Sequence, residues 1–188
     1  MAWVSNNRFY FGRNMDIERS FGEGVVIVPR RYTLTFKKEP AQQVKYAMIG
    51  IGSVAKEYPL YAEAVNERGL GVAATYFPGL AQYAAEEKDG HFNVASHELI
   101  PWILARYATV DEAYDDLTRL NLMGLPFMDG LPVTEQHWLV SDRHRSVVIE
   151  FTEGGLHLTN LRTYLGVTAG QPQATSWDNL PLTALGQG

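Results

Sequence analysis

Phe11-Gly12-Arg13-Asn14-Met15-Asp16 sets three polar side chains directly behind a strand-like run. The glycine allows close backbone approach, and Arg13 and Asp16 could orient a charged amine and polarise a nucleophile. Taken alone, the string is also what an ordinary polar strand end looks like. Its weight comes from the elements around it.

Upstream, residues 3–5 and 8–11 read as strands flanking Asn6-Asn7, a pair that tolerates the positive φ of a tight hairpin. Downstream, Val25-Val26-Ile27-Val28 is a continuous β-branched run closed by Pro29, the pattern of a strand buried on both faces. Residues 32–36 alternate in period two, and 46–51 form another apolar run. Residues 61–65 and 70–77 are joined by Asn66-Glu67-Arg68-Gly69, a hairpin turn. Helices follow. Ser96 can cap a segment reaching about residue 107, in which Pro101 lies early enough to be tolerated. Thr109-Val110-Asp111-Glu112 is a capping box opening a helix over residues 110–121, whose apolar face holds Val110, Ala113, Tyr114, Leu117 and Leu120. Residues 137–141 and 146–151 then read as strands turning through Asp142 to Arg145. Two β regions around a helical pair predict a layered α+β domain.

The composition narrows the functional classes. The 188 residues suit one domain, and 46% of them are apolar. A net charge of -5 without a basic run argues against nucleic acid as a partner. No stretch is long and apolar enough to span a membrane and no signal-peptide pattern opens the chain, so a cytoplasmic location is expected. Cysteine is absent, and the five histidines form no HxxxH or HExxH pair, so neither a metal nor a cofactor is expected. Trp102, Trp138 and His137 read as structural, as do the solvated pairs Asp115-Asp116 and Glu86-Glu87. Gly50-Ile51-Gly52 has no phosphate-loop context.

Colinear with Phe11-Gly12-Arg13-Asn14-Met15-Asp16 run Val28-Pro29-Arg30, Tyr46-Ala47-Met48-Ile49-Gly50-Ile51-Gly52 and Asn66-Glu67-Arg68-Gly69-Leu70-Gly71. Ile100-Pro101-Trp102-Ile103-Leu104, His137-Trp138-Leu139 and Thr159-Asn160-Leu161-Arg162-Thr163-Tyr164 continue the series, which closes with Leu182-Thr183-Ala184-Leu185-Gly186-Gln187-Gly188. Across nearly its whole length the chain resembles the choloylglycine hydrolase family, which contains bile salt hydrolases and penicillin V acylases. The resemblance implies an N-terminal-nucleophile hydrolase fold, an αββα four-layer sandwich with two antiparallel sheets. It also implies hydrolysis of amphipathic acyl amides, a small-molecule acyl amide as partner, and a homotetramer. In such enzymes a terminal cysteine attacks and its own α-amine takes the thiol proton.

Of the family's pocket, the resemblance assigns Arg13, Asp16 and Tyr76. Tyr76 also reads as a core aromatic. Asn160 sits in a Leu-Thr-Asn string like the family's oxyanion loop, but the residues after it match a later family segment. The cysteine's expected position falls before Met1, and a further strand and loop are expected between the parts matching Gly155 and Thr159. The reading is therefore a single domain over residues 1–188, incomplete at the N-terminus, near 156–159 and at the C-terminus. Ala2 has no group that attacks a carbonyl, and the amine of Ser5 lies in a peptide bond. The alternative is an inactive relative that binds acyl ligands or serves assembly.

Overall fold

The computed structural model describes residues 1–14, 20, 22–162 and 164–165. The chain opens with β1 (Ala2–Ser5) and β2 (Arg8–Phe11), joined through Asn6 and Asn7 at φ 49° and 59°, the tight hairpin their side chains tolerate. Then come β3 (Gly24–Val28), the short β4 (Thr33–Leu34) and β5 (Gln42–Gln43), β6 (Met48–Ala55), β7 (Tyr58–Asn66) and β8 (Gly71–Tyr76). After β9 (Phe92–Ala95), a single 3-10 turn leads into α1 (Leu99–Leu104), α2 (Val110–Leu117) and β10 (Leu120–Met123). The chain continues through β11 (Gln136–Ser141), β12 (Arg145–Thr152), β13 (Gly155–Arg162) and β14 (Tyr164–Leu165).

Seven of these strands form one antiparallel sheet in the order β13-β12-β11-β8-β7-β6-β3. Its first face carries Ala64, Val72, Ala74, Trp138, Val140, Val147 and Ile149, all buried in the main core. There α1 packs on β7 and β8, and α2 on β12. Every residue of α1 is buried, which explains why its sequence is apolar all round rather than amphipathic. Trp102 lies beneath the Phe92 ring at 5.2 Å. Asn66 ties the sheet to this layer. Its amide donates to the carbonyls of Leu104 (3.0 Å) and Tyr107 (2.8 Å), and its oxygen accepts from the amides of Arg68 and Leu70. The turn that follows closes at Gly69, whose φ of 87° suits glycine.

The second face meets the small sheet β14-β1-β2, because the Phe11 ring lies on Gly71; a Cβ there would stand 2.8 Å from the ring. Helices, large sheet and small sheet thus form three layers among the described residues. The fold is the α+β sandwich expected.

Several element boundaries differ from the sequence reading, each for a physical reason. The first helical turn is capped by Glu98, not Ser96: its carboxylate accepts from the amides of Ala95 and Lys37. The Thr109 cap is as expected, with its hydroxyl accepting from the amide of Glu112 at 3.2 Å. However, α2 stops at Leu117, because residues 120–123 are all buried and pair in parallel with β9, a strand the sequence reading lacked. Strand β3 is an edge strand, not one buried on both faces: Val25 and Ile27 are 66% and 65% exposed. The alternating run at 32–36 yields only the two-residue β4.

Candidate active site

The string quoted at the outset leaves β2 at Phe11, and the Gly12 amide extends the hairpin ladder by donating to the Met1 carbonyl at 3.1 Å. This delivers Arg13 to β8, where Nη1 donates to the Ala74 carbonyl at 2.6 Å. Arg13 is partly buried, and its Nε is buried with no hydrogen-bond partner among the described residues. Burial lowers the guanidinium below its usual range, while the negative charge of Glu63 pulls it back up. It stays cationic at any physiological pH.

Glu63 reaches this place through an irregularity in β7. Tyr61 pairs with Gly52 and Glu63 with Ile51, so Ala62 is an extra residue, a β-bulge. Tyr61 and Ala64 point into the helix-side core, and the bulge leaves Glu63 on the other face. Its Oε2 is buried without a partner among the described residues. Glu63 pairs with Ala73 on β8, and Thr75, two residues along, shares that face. The Thr75 hydroxyl is likewise buried and partnerless. Arg13, Glu63 and Thr75 thus form a polar group whose hydrogen bonds are incomplete. Buried polar groups are normally satisfied, so such a cluster is where a substrate or another chain segment would bond.

Beside it runs an apolar cleft of about 250 Å³, lined by Phe11, Val25, Ile49, Ile51, Glu63 and Val65. The arrangement is amphipathic, with an aliphatic and aromatic wall ending at a cation and a carboxylate.

Asp16 lies outside the described residues. Tyr76 closes β8 and is 70% exposed, so it is no core aromatic; strand alternation places Thr75, not Tyr76, on the face with Glu63. Asn160 pairs with Val147 on the helix side, where it accepts from Arg145 and donates to the Tyr114 hydroxyl at 3.0 Å. Trp102 and Trp138 are fully buried, and His137 meets Glu150 at 3.0 Å while stacking on Phe77. No cluster of metal-ligating side chains occurs among the described residues. Sequence reasoning missed Glu63 and Thr75. A charged residue inside an apolar strand was the available signal, but strict period two puts Glu63 with Tyr61, in the core.

The layers define the class, an α+β sandwich of mainly antiparallel sheets with a polar cluster between them. Residues 2–188 match the family described as linear amide C–N hydrolases, choloylglycine hydrolase family. The chain belongs to that family. It is 36% identical over 197 residues to a bile salt hydrolase/transferase of Lactiplantibacillus plantarum, a match covering 95% of this chain and 60% of that protein. A conjugated bile acid hydrolase of Lactobacillus gasseri is 33% identical over 198 residues, covering 95% and 63%. Among solved structures, an arginine-to-leucine variant of the conjugated bile acid hydrolase from Clostridium perfringens superposes with a TM-score of 0.80 at 32% identity, over 85% of this chain and 50% of that one. A penicillin V acylase from Agrobacterium tumefaciens shares the fold at 18% identity, TM-score 0.64, covering 85% and 48%. The chain thus spans about 60% of the length of the curated relatives it matches.

Proposed function

We propose that this chain supplies the acyl-binding face and the site arginine of an enzyme hydrolysing the amide C–N bond of amphipathic acyl amides, of the conjugated bile salt or penicillin V kind. The observation that carries the reading is Arg13, half-buried beside Glu63 with an unpartnered Nε, at the end of an apolar cleft. The apolar wall takes the acyl body, and the polar end orients the reacting amide. Arg13 and Asp16 position the nucleophile, and Tyr76 contributes to the pocket rim. By family resemblance the attacking group is a cysteine thiol at a free N-terminus. Its proton passes to the α-amine and then to the departing amine as the C–N bond breaks, leaving a thioester. Water adds to the thioester and releases the free acid and the thiol. The 188 residues contain no cysteine, so this group is not one of them. A homotetramer in the cytoplasm belongs to the same reading.

The test uses the 188-residue chain, verified by intact mass, against conjugated bile salts and penicillin V. The expected result is no amide hydrolysis above the blank. Joining a cysteine-first segment ahead of Met1, together with the further strand and loop between Gly155 and Thr159 and the C-terminal part, is expected to give hydrolysis, and Arg13→Leu in that form to lower kcat/KM about a hundredfold. Hydrolysis by the verified 188-residue chain would overturn the assignment of chemistry, and Ser5 would be the first residue to substitute. A cysteine-first form that binds acyl amides without cleaving them would point to the binding-protein alternative.

A further inference from the structure

Between the β6–β7 turn and the start of α1 lies a second cleft of about 290 Å³. Its walls are Phe36, Lys37, Lys56, Tyr58, His97 and Phe127. It shares no residue with the Phe11 cleft.

Three aromatic rings meet here. His97 stands edge-on to Tyr58 at 6.2 Å and to Phe127 at 5.4 Å, and Tyr58 lies 6.1 Å from Phe127. Neither Lys37 nor Lys56 has a carboxylate within ion-pair distance among the described residues. The one carboxylate lining the cleft, Glu98, is 2% exposed and accepts from the amides of Lys37 and Ala95; the Lys37 charge acts on it, so it offsets Lys37 in part and leaves Lys56 as the cation with no carboxylate at hand among the described residues. Tyr58 is 7% exposed, and its hydroxyl is buried with no hydrogen-bond partner among the described residues. A buried, unpartnered hydroxyl is exceptional and marks a place where an acceptor is missing.

We propose that this cleft is a binding site for a small aromatic carboxylate, with the ligand's ring against Tyr58, His97 and Phe127 and its carboxylate between Lys37 and Lys56 and accepting from the Tyr58 hydroxyl. The charge pattern selects an anion, because the exposed charges lining the cleft are the two ammonium groups, while the Glu98 carboxylate is buried. The aromatic walls select a planar apolar body, since ring contacts are stronger edge-to-face and offset than against aliphatic chains. Burial keeps His97 neutral at pH 7, so it serves as a wall and adds no third cation.

The experiment titrates phenylpropionate into the full 188-residue chain by calorimetry, with amide and aromatic chemical shifts read in parallel. Phenylpropanol, the neutral counterpart, and inorganic phosphate are titrated alongside. The expected result is saturable binding of the acid that moves His97 and Phe127 resonances and leaves Phe11 and Ile49 unmoved. Phenylpropanol and phosphate are each expected to bind at least about tenfold more weakly. Replacing both lysines (Lys37→Gln with Lys56→Gln) should cost about tenfold in affinity, and Tyr58→Phe a few fold, with the melting temperature unchanged in both. The lysines are exposed, so loss of binding without loss of fold is readable. Equal affinity for acid and alcohol, indifference to the lysine changes, phosphate binding as tight as the aromatic acid, or shifts confined to Phe11 and Ile49 would each overturn the proposal. None of these outcomes depends on whether the chain hydrolyses amides.

Discussion

Burial between Tyr58 and Phe127, with the positive charge of Lys37 adding to it, pushes His97 from 6.5 down to about 4. The consequence is a pH dependence of stability with a definite sign. Above pH 6.5 the imidazole is neutral in both the folded and unfolded chain, and its contribution is fully present. Between pH 6.5 and about 4 the unfolded chain takes up a proton that the folded chain refuses, so stability falls as pH falls. The slope from this residue approaches about 1.4 kcal/mol per pH unit. Glu98, raised by its own burial, works in the opposite direction as it protonates, so the residue's share must be isolated by substitution. Urea unfolding of the chain and of His97→Gln across this window gives the answer. The difference between the two curves should grow toward low pH; parallel curves would show that His97 is solvated. Elsewhere at this scale, Gly50 is fixed by close approach, since a Cβ there would stand 2.1 Å from the Glu63 carbonyl oxygen. That contact accounts for the glycine-rich string in β6 without any phosphate chemistry.

Strand β7 shows how one residue of length decides what faces the site. The bulge at Ala62 holds Tyr61 in the core and Glu63 toward Arg13, although two residues apart in a regular strand they would share a face. Deleting Ala62 makes Tyr61 and Glu63 consecutive, and consecutive residues of a regular strand point to opposite faces, so the deletion restores regular pairing with both on their present sides. Straightening the strand with Ala62 kept would instead put the two on one face: either a carboxylate enters the apolar core or the Tyr61 ring leaves it, and each costs several kcal/mol, on the order of a small domain's whole margin of about 5–15 kcal/mol. The expected outcome is a cooperative melt for the deletion, as for Ala62→Ser, which keeps the bulge. Loss of the cooperative melt would mean that the sheet needs the bulge itself, and not only the opposite facing of Tyr61 and Glu63. The same element explains what could be read in advance. Hairpin turns at Asn6-Asn7 and Asn66–Gly69, and the Thr109 cap, were legible because their chemistry is local. The end of α2 was not, because Leu120 continues the helical spacing of Leu117 and only the distant β9 makes it a strand. Arg13 was legible as a polar group behind a strand. Glu63 and Thr75 were not, since their face is fixed by the bulge and by pairing with β8.

Among the described residues, the two faces of the large sheet are covered unequally. Helices pack on the first face, and among the described residues the small sheet meets the second at Phe11 and Gly71. Toward β3 the second face bears Val25, Ile27 and Ile49, which are 66%, 65% and 45% exposed and adjoin across the β3–β6 ladder. A row of β-branched side chains on an edge strand favours pairing with another chain through both its apolar surface and its free backbone groups. This is why the sequence reading took the run for a buried strand: its composition is that of an interior strand, and only the sheet order reveals an open side. Val25→Thr with Ile27→Thr keeps the β-branched shape while placing a hydroxyl where water already reaches. Each change should therefore alter unfolding free energy by no more than about 0.5 kcal/mol, the range of ordinary surface substitutions. Self-association, followed by sedimentation velocity over a concentration series, should weaken in the double variant. A loss of several kcal/mol in urea unfolding would instead mean that this face is covered in the folded chain. Unchanged self-association would place the contact between copies elsewhere on the molecule.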